Sequence, residues 1–246
     1  MKFDPQEIVL WVDDSLLVVN KPAGLPSLPD GYQAEAPHLR SVFEPLFGRL
    51  WMVHRLDRET SGVVVLARSA QVHRALNTQF QEHQTTKVYH ALVSGSPDWA
   101  EQWIDAPLLP DGDRRHRSIV SGQGKPAVTL FQVLERFAGY TLVEAQPKTG
   151  RTHQIRLHVA HLGHPIVADG LYGDGEGLYL SALKPGYQVG KTEETALLGR
   201  LGLHAWSLGF AHPLSGEQVS FVAPYPKDFQ VALGQLKKYR PLRASL

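Results

Sequence analysis

The chain has 246 residues, 43% hydrophobic and 20% charged, enough to bury one large core or two small ones and too apolar for bulk disorder. It has no cysteine, which excludes disulfides and thiolate metal sites and fits a reducing cytoplasm. A net charge of +1 excludes a generically basic nucleic-acid binder, and no stretch approaches the ~18 apolar residues of a membrane span. Charge is uneven. Residues 1–47 carry three Lys/Arg against seven Asp/Glu, and residues 48–160 carry fourteen against ten. An RNA footprint would have to be a local basic face. The N-terminus has acids within its apolar run and lacks a signal-peptide pattern.

In chain order, Ile8–Trp11 and Leu16–Asn20 read as two strands around the turn Asp13-Asp14, ended by Lys21-Pro22-Ala23-Gly24-Leu25-Pro26. Residues 26–37 read as loop and residues 38–47 as a short helix. The apolar run Val63–Ala67 predicts a buried strand. Val72, Leu76 and Phe80 recur at four-residue spacing, which predicts a helix over 70–83 with Ser69 as its N-cap. Val88–Val93 reads as a strand, with Lys87, Tyr89, Ala91 and Val93 on one face and Val88, His90 and Leu92 on the other.

Residues 106–126, rich in Gly, Pro, Asp and Arg, read mostly as exposed loop. Ala127–Glu135 and Tyr140–Gln146 predict a strand pair turning at Ala138-Gly139. Over 152–162 a helix is expected, with an apolar stripe of Ile155, Val159 and Leu162 beside a polar stripe of Arg151, Gln154, His158 and His161. Asp169–Gly177 is glycine-rich loop without a Walker or Rossmann pattern. Thr192–Arg200 reads as a helix, Leu203–Ala211 and Val219–Ala223 as strands around Pro213–Gly216, and 226–239 as a closing helix. Strands in adjacent pairs, separated by helices, favour an α+β fold with a mixed, largely antiparallel sheet. No repeat or linker divides the chain, so one domain spanning 1–246 is expected.

The segment His54-Arg55-Leu56-Asp57-Arg58-Glu59-Thr60-Ser61-Gly62 places a carboxylate between two arginines, in a loop pinned to the Val63 strand. A free aspartate, with a pKa near ~3.9, is a weak nucleophile. Nearby cations, Arg55, Arg58 and Arg151, would keep it ionised. Held so in a dry cleft, it can attack a sugar or electron-poor ring carbon, or stabilise an oxocarbenium-like charge. The bland alternative is a loop aspartate capping its own turn. Tyr89 could stack on a nucleobase or be an ordinary half-buried strand tyrosine. Lys148–His158 gathers cations, an amide and imidazoles at a helix start, which suits a phosphate or an Arg–Asp pair, or is simply a solvated basic end. His153, His158, His161 and His164 lack a nearby acidic ligand, so no metal is expected.

With Asn20–Leu25, Lys87–Val93, Pro147–His158 with Gly163–Val167, and Leu203–Ala205 with Phe210–Pro213, the segment His54–Gly62 resembles, in order, the motifs of the RluA-type pseudouridine synthases. The resemblance implies a single catalytic domain, a mixed sheet flanked by helices and loops with a central RNA-binding cleft. It implies isomerisation of uridine in tRNA or large-subunit rRNA, without cofactor, by a cytoplasmic protein expected to act as a monomer, with RNA as its partner and neither metal nor membrane. By resemblance, Asp57 is the catalytic aspartate, Tyr89 contacts the base and is a candidate base for the sugar proton, and Arg151 pairs with the aspartate. Arg55 holds the flipped nucleotide's place in the RNA and Leu203 lines the uracil pocket. His54 and Thr60 complete the substrate-binding set.

Two departures stand out. Lys21-Pro22 comes after only twenty residues, so no S4-like domain is expected at the N-terminus, and target choice is expected from residues 26–50, 106–126 and 170–200. Ala168 stands where the family has glycine. Two other readings stay open. A catalytically inactive RNA-binding or RNA-folding protein would not need Asp57, Tyr89 and Arg151 together. A carboxylate-dependent glycoside or nucleoside hydrolase would want a second positioned acid. Arg114-Arg115-His116-Arg117 is a candidate phosphate contact.

Overall fold

The computed structural model describes residues 3–29, 36–115, 117–190 and 193–242. In chain order the strands and helices are β1 (Val9–Val12), β2 (Leu16–Lys21), α1 (Leu39–Phe47), β3 (Trp51–Met52), β4 (Ser61–Ala67), α2 (Ala70–Gln81), β5 (Thr86–Ser94), β6 (Glu101–Asp105), β7 (Leu108–Leu109), β8 (Ile119–Val120), β9 (Val128–Phe137), β10 (Tyr140–Pro147), α3 (Gln154–His161), α4 (Leu180–Leu183), β11 (Leu203–Ala211), β12 (Gln218–Val222) and α5 (Lys227–Tyr239). The fold is α+β with mostly antiparallel pairing. The chain forms two compact units, residues 1–88 with 204–224 and residues 89–203 with 225–246. It passes between them three times, inside β5, at the start of β11 and in the short segment between β12 and α5.

In the first unit β4 is central. Its residues are all buried, as an uninterrupted apolar run requires when both faces are covered. One edge pairs along its length with β2, from Leu16 opposite Ala67 to Lys21 opposite Gly62. The other edge is shared. β3 pairs with its Leu66–Ala67 end, and β11 pairs in parallel with Ser61 and Gly62. α2 packs on β4, burying Val72 and Leu76 as their spacing predicts, and Ser69 caps it by accepting the Val72 N–H at 3.2 Å. α1 buries Leu39 and Phe43.

In the second unit β10 lies between β5 and β9, and β6 pairs with β9's far edge. The alternation expected along β5 holds. Tyr89, Ala91 and Val93 join Phe131, Val143 and Ala145 under Ile155 and Val159 of α3, while Leu92 faces Leu142 and the α5 residues Phe229, Ala232 and Leu236. A bulge in β9, where Leu142 faces Glu135 and Val143 faces Val133, turns Phe137 to the α5 side.

Three expectations are corrected. Residues 106–126 are not simply exposed loop: Leu108–Leu109 and Ile119–Val120 form a small antiparallel ladder, with Leu108 and Ser118 buried. Residues 193–200 carry no helix (Thr192 lies outside the described residues), and the segment instead holds α4 upstream. The polar stripe of α3 is partly interior. Gln154 and His158 are buried on β9, where the Gln154 amide donates to the Val128 carbonyl and Thr129 Oγ1, and His158 Nδ1 lies 2.9 Å from Thr129 Oγ1. Helical spacing showed that these residues share a face but not that the facing strand supplies polar partners. β6 also went unread, because its Glu-Gln-Trp-Ile-Asp sequence buries only Ile104.

Candidate active site

Asp57 lies partly exposed in the loop between β3 and β4, where its carbonyl accepts the Thr60 N–H at 3.1 Å and closes a turn over 57–60. The segment after β2 clamps this loop. Lys21 is fully buried, and its ammonium donates to the carbonyls of Pro22 (3.1 Å), Leu25 (2.9 Å) and Arg58 (3.1 Å). Carbonyl acceptors of this kind are how a buried ammonium avoids a large desolvation cost. The Arg58 carbonyl also accepts the Gly24 N–H at 2.7 Å, and Arg58 Nε donates to the Gly24 carbonyl at 3.2 Å. Ser27 Oγ donates to the Leu56 carbonyl at 2.8 Å and accepts the Leu56 N–H at 3.1 Å. The stretch from Lys21 to Ser27 is thus a brace for the backbone on both sides of Asp57.

His54 braces the loop's entry. Its Nε2 accepts the Val65 N–H at 3.1 Å, in the stretch of β4 that neither β3 nor β11 covers. A side-chain nitrogen stands in for a missing strand acceptor. That bond leaves Nε2 unprotonated, so Nδ1 carries the hydrogen. The ring stacks on Phe80 at 4.8 Å, and burial, aided by the Lys87 charge, pushes its pKa down to about 3. His54 is therefore neutral and turned into the protein. Thr60 is buried, and its hydroxyl meets no hydrogen-bond partner among the described residues. Arg55 is exposed, as is Arg58, whose Nε lies 3.9 Å from Glu59.

The loop's exit explains the Thr-Ser-Gly ending. Gly62 has φ +121° and a Cβ there would lie 2.2 Å from the Ala205 carbonyl oxygen, so only glycine lets β4 and β11 approach this closely. Ser61 beside it is buried against His204. The structure brings His54, Arg55, Asp57 and Thr60 into one braced loop of the first unit.

In the second unit Tyr89 is half-buried on β5 opposite Ala145, and Leu203 is buried in the apolar cluster that Tyr89 packs against. Arg151 precedes α3. Its Nε donates to the Pro126 carbonyl at 3.0 Å and its N–H to Gln154 Oε1 at 3.0 Å. The helix start, read as favouring an anion, has its Gln154 N–H already taken by the Arg151 carbonyl at 3.1 Å. The approach to α3 is strained and tied down. His153 has φ +57° and its Nδ1 lies 3.0 Å from the Tyr172 hydroxyl. Arg156 grips Asp169 through two bonds of 2.8 and 2.6 Å and lies over the Tyr172 ring. Burial would raise the Asp169 carboxyl, but Arg156 and the Leu171 and Tyr172 amides outweigh it and hold it below the usual range.

The four histidines do not converge on a metal, and no metal-holding group of His, Asp and Glu is found among the described residues. In the basic loop, Arg117 is committed to Asp113 at 2.7 Å and to the Leu171 carbonyl, while Arg114 and Arg115 are exposed. His116 lies outside the described residues. No described helix is long and apolar enough to cross a membrane. Lys21, Ser27, Ser61 and His204 were not singled out as functional from the sequence. Lys21, Ser61 and His204 stand inside the quoted motif segments, but what they bond to is set by the tertiary fold.

A family model described as RNA pseudouridylate synthase matches residues 15–161. Ribosomal large subunit pseudouridine synthase D of Neisseria meningitidis serogroup B is 37% identical over 97% of this chain and 63% of its own length. Ribosomal large subunit pseudouridine synthase C of Escherichia coli K12 is 38% identical over 95% of this chain and 71% of its own. The chain thus spans less than two thirds of the Neisseria relative. Among solved structures, human RNA pseudouridylate synthase domain containing 4 is similar with a TM-score of 0.75 and 29% identity, covering 95% of this chain and 94% of that one.

Proposed function

Because the chain belongs to the RNA pseudouridylate synthase family, we propose that it isomerises uridine to pseudouridine in large-subunit ribosomal RNA, with Asp57 as the catalytic carboxylate. The observation that carries this reading is the Asp57 turn, gripped on one side by the buried Lys21 ammonium and docked on the other against β11. A carboxylate that merely capped its own turn would not need such bracing, whereas one that must meet a reacting carbon within a fraction of an ångström does.

The reaction breaks the N1–C1′ bond, turns the uracil and joins C5 to C1′. The C5 proton leaves and N1 gains one, so the isomerisation balances without an external reactant. The target base must first leave its stack, at a cost of roughly a few kcal/mol that loop or unpaired RNA reduces. Asp57 acts by attack at C1′, by attack at C6, or in the loss of the C2′ proton. Tyr89 is the proposed base for the sugar proton and Arg151 the cation that favours the ionised carboxylate. Leu203, Arg55, His54 and Thr60 are the proposed substrate side. His54 serves there through the loop backbone, since its ring faces Phe80 and Val65. The relatives' names favour rRNA over tRNA as substrate.

Pseudouridine mapping of rRNA and tRNA from cells lacking the gene tests this. Purified protein is expected to add pseudouridine to the rRNA, and the Asp57→Ala variant to bind the same RNA and add none. Modification by Asp57→Ala, or none by the intact protein in either pool, would overturn the reading.

A further inference from the structure

We propose that Ser61 and His204 are positioning residues for this reaction, their buried hydrogen bond fixing where the Asp57 turn leaves β4; the inference rests on Asp57 being the reacting carboxylate. Both side chains are fully buried, and Ser61 Oγ lies 2.9 Å from His204 Nδ1. His204 Nε2 lies 2.9 Å from the Ala223 carbonyl, which can only accept, so Nε2 carries the hydrogen. Nδ1 is then bare and takes the hydrogen bond of the Ser61 hydroxyl.

A device is needed at this point. β4 and β11 meet in parallel at Ser61–His204 and Gly62–Ala205. So short a ladder specifies its register weakly, and a slip of one residue would swing the turn that ends at Thr60. The Ser61–His204 bond joins the same two residues through their side chains and can form in one register. It also closes a circuit. Beyond Ala223, the Pro224 carbonyl accepts the Asn20 amide at 3.0 Å, and the next residue, Lys21, donates to the Arg58 carbonyl at 3.1 Å. The Asp57 turn is thus held at Arg58 by Lys21 and at Ser61 by His204, and both holds belong to one network.

The test is single-turnover pseudouridine formation on unmodified 23S-type rRNA transcript, with RNA affinity and the folded fraction measured in parallel. Four variants are compared with wild type: Ser61→Ala, His204→Asn, His204→Gln and Ser61→Ala with His204→Gln. Asparagine places an oxygen near the position of Nδ1 and can still accept from Ser61. Glutamine places an amide nitrogen near Nε2 and keeps only the Ala223 bond. We expect Ser61→Ala and His204→Gln to slow the step about tenfold to a hundredfold per folded molecule, RNA affinity little changed, as a displaced reacting group does. The double variant should be no slower than either single one, and His204→Asn should keep most of the rate. Equal rates for the Asn and Gln variants, or losses that only track the unfolded fraction, would overturn the positioning role while the function stands. A wild type that forms no pseudouridine would overturn both.

Discussion

Lys21 shows how much one side chain decides here. Its fully buried ammonium is met by the carbonyls of Pro22, Leu25 and Arg58, which offset the cost of leaving water. Replacing it with methionine keeps the volume and strips three carbonyls of a charged donor. Lys21→Met is expected to cost about 2 kcal/mol of stability in urea unfolding, as lost hydrogen bonds to a charged group do. An unchanged unfolding midpoint would show that the brace contributes nothing. The places of Asp57 and Arg55 in the loop before β4 and of Tyr89 on β5 were legible because the buried-strand run and the strand period fix them. Ser61 and His204 were not, since the partners lie 143 positions apart and nothing in either local pattern announces the other.

At the scale of elements, most boundaries follow from local chemistry. The Ser69 cap, the four-residue spacing on α2 and the two-residue alternation on β5 were each readable and each found. In the segment after α3, one alanine holds a backbone conformation that suits glycine better. Ala168 has φ +58°, a left-handed conformation that glycine adopts freely and alanine does not, between Val167, bonded to β5, and Asp169, which grips Arg156. Ala168→Gly is therefore expected to stabilise the fold by about 0.5–1 kcal/mol, the relieved strain exceeding the glycine's extra chain entropy. A lower unfolding midpoint for the variant would contradict this. Among the elements that escaped reading, β6 is mostly polar, and β7 and β8 are apolar but only two residues each, too short for a period to show. They are strands because neighbouring backbones offer them partners, with β9 pairing with β6 across Glu101–Asp105.

For the molecule as a whole, imidazoles held away from water are expected to lower stability on the acid side. His54 titrates at about 3 in the folded chain, against roughly 6.5 in an unfolded one. Between those values the unfolded chain binds a proton that the fold refuses, so stability falls as pH drops from neutrality. For one such group the slope is at most about 1.4 kcal/mol per pH unit. Burial pushes His90 and His158 the same way, Glu144 opposing it at His90. Asp169, held low against its own burial by Arg156, adds a further loss only as pH falls below the usual carboxylate range. Urea unfolding at a series of pH values is expected to show declining stability on the acid side of neutrality. His54→Gln, which keeps an acceptor for the Val65 N–H, should reduce that slope by up to one proton, and an unaltered slope would show that His54 is not among the groups responsible. By itself the sequence determined the fold class, most of the longer elements and the loop that carries Asp57, because periodicity, caps and turn chemistry are written locally. Only the tertiary structure decided which polar side chains are interior, what Lys21, His54 and His204 bond to, and why Gly62 must be glycine. Buried polar groups are satisfied by whatever backbone the fold brings beside them, and that choice is made at long range.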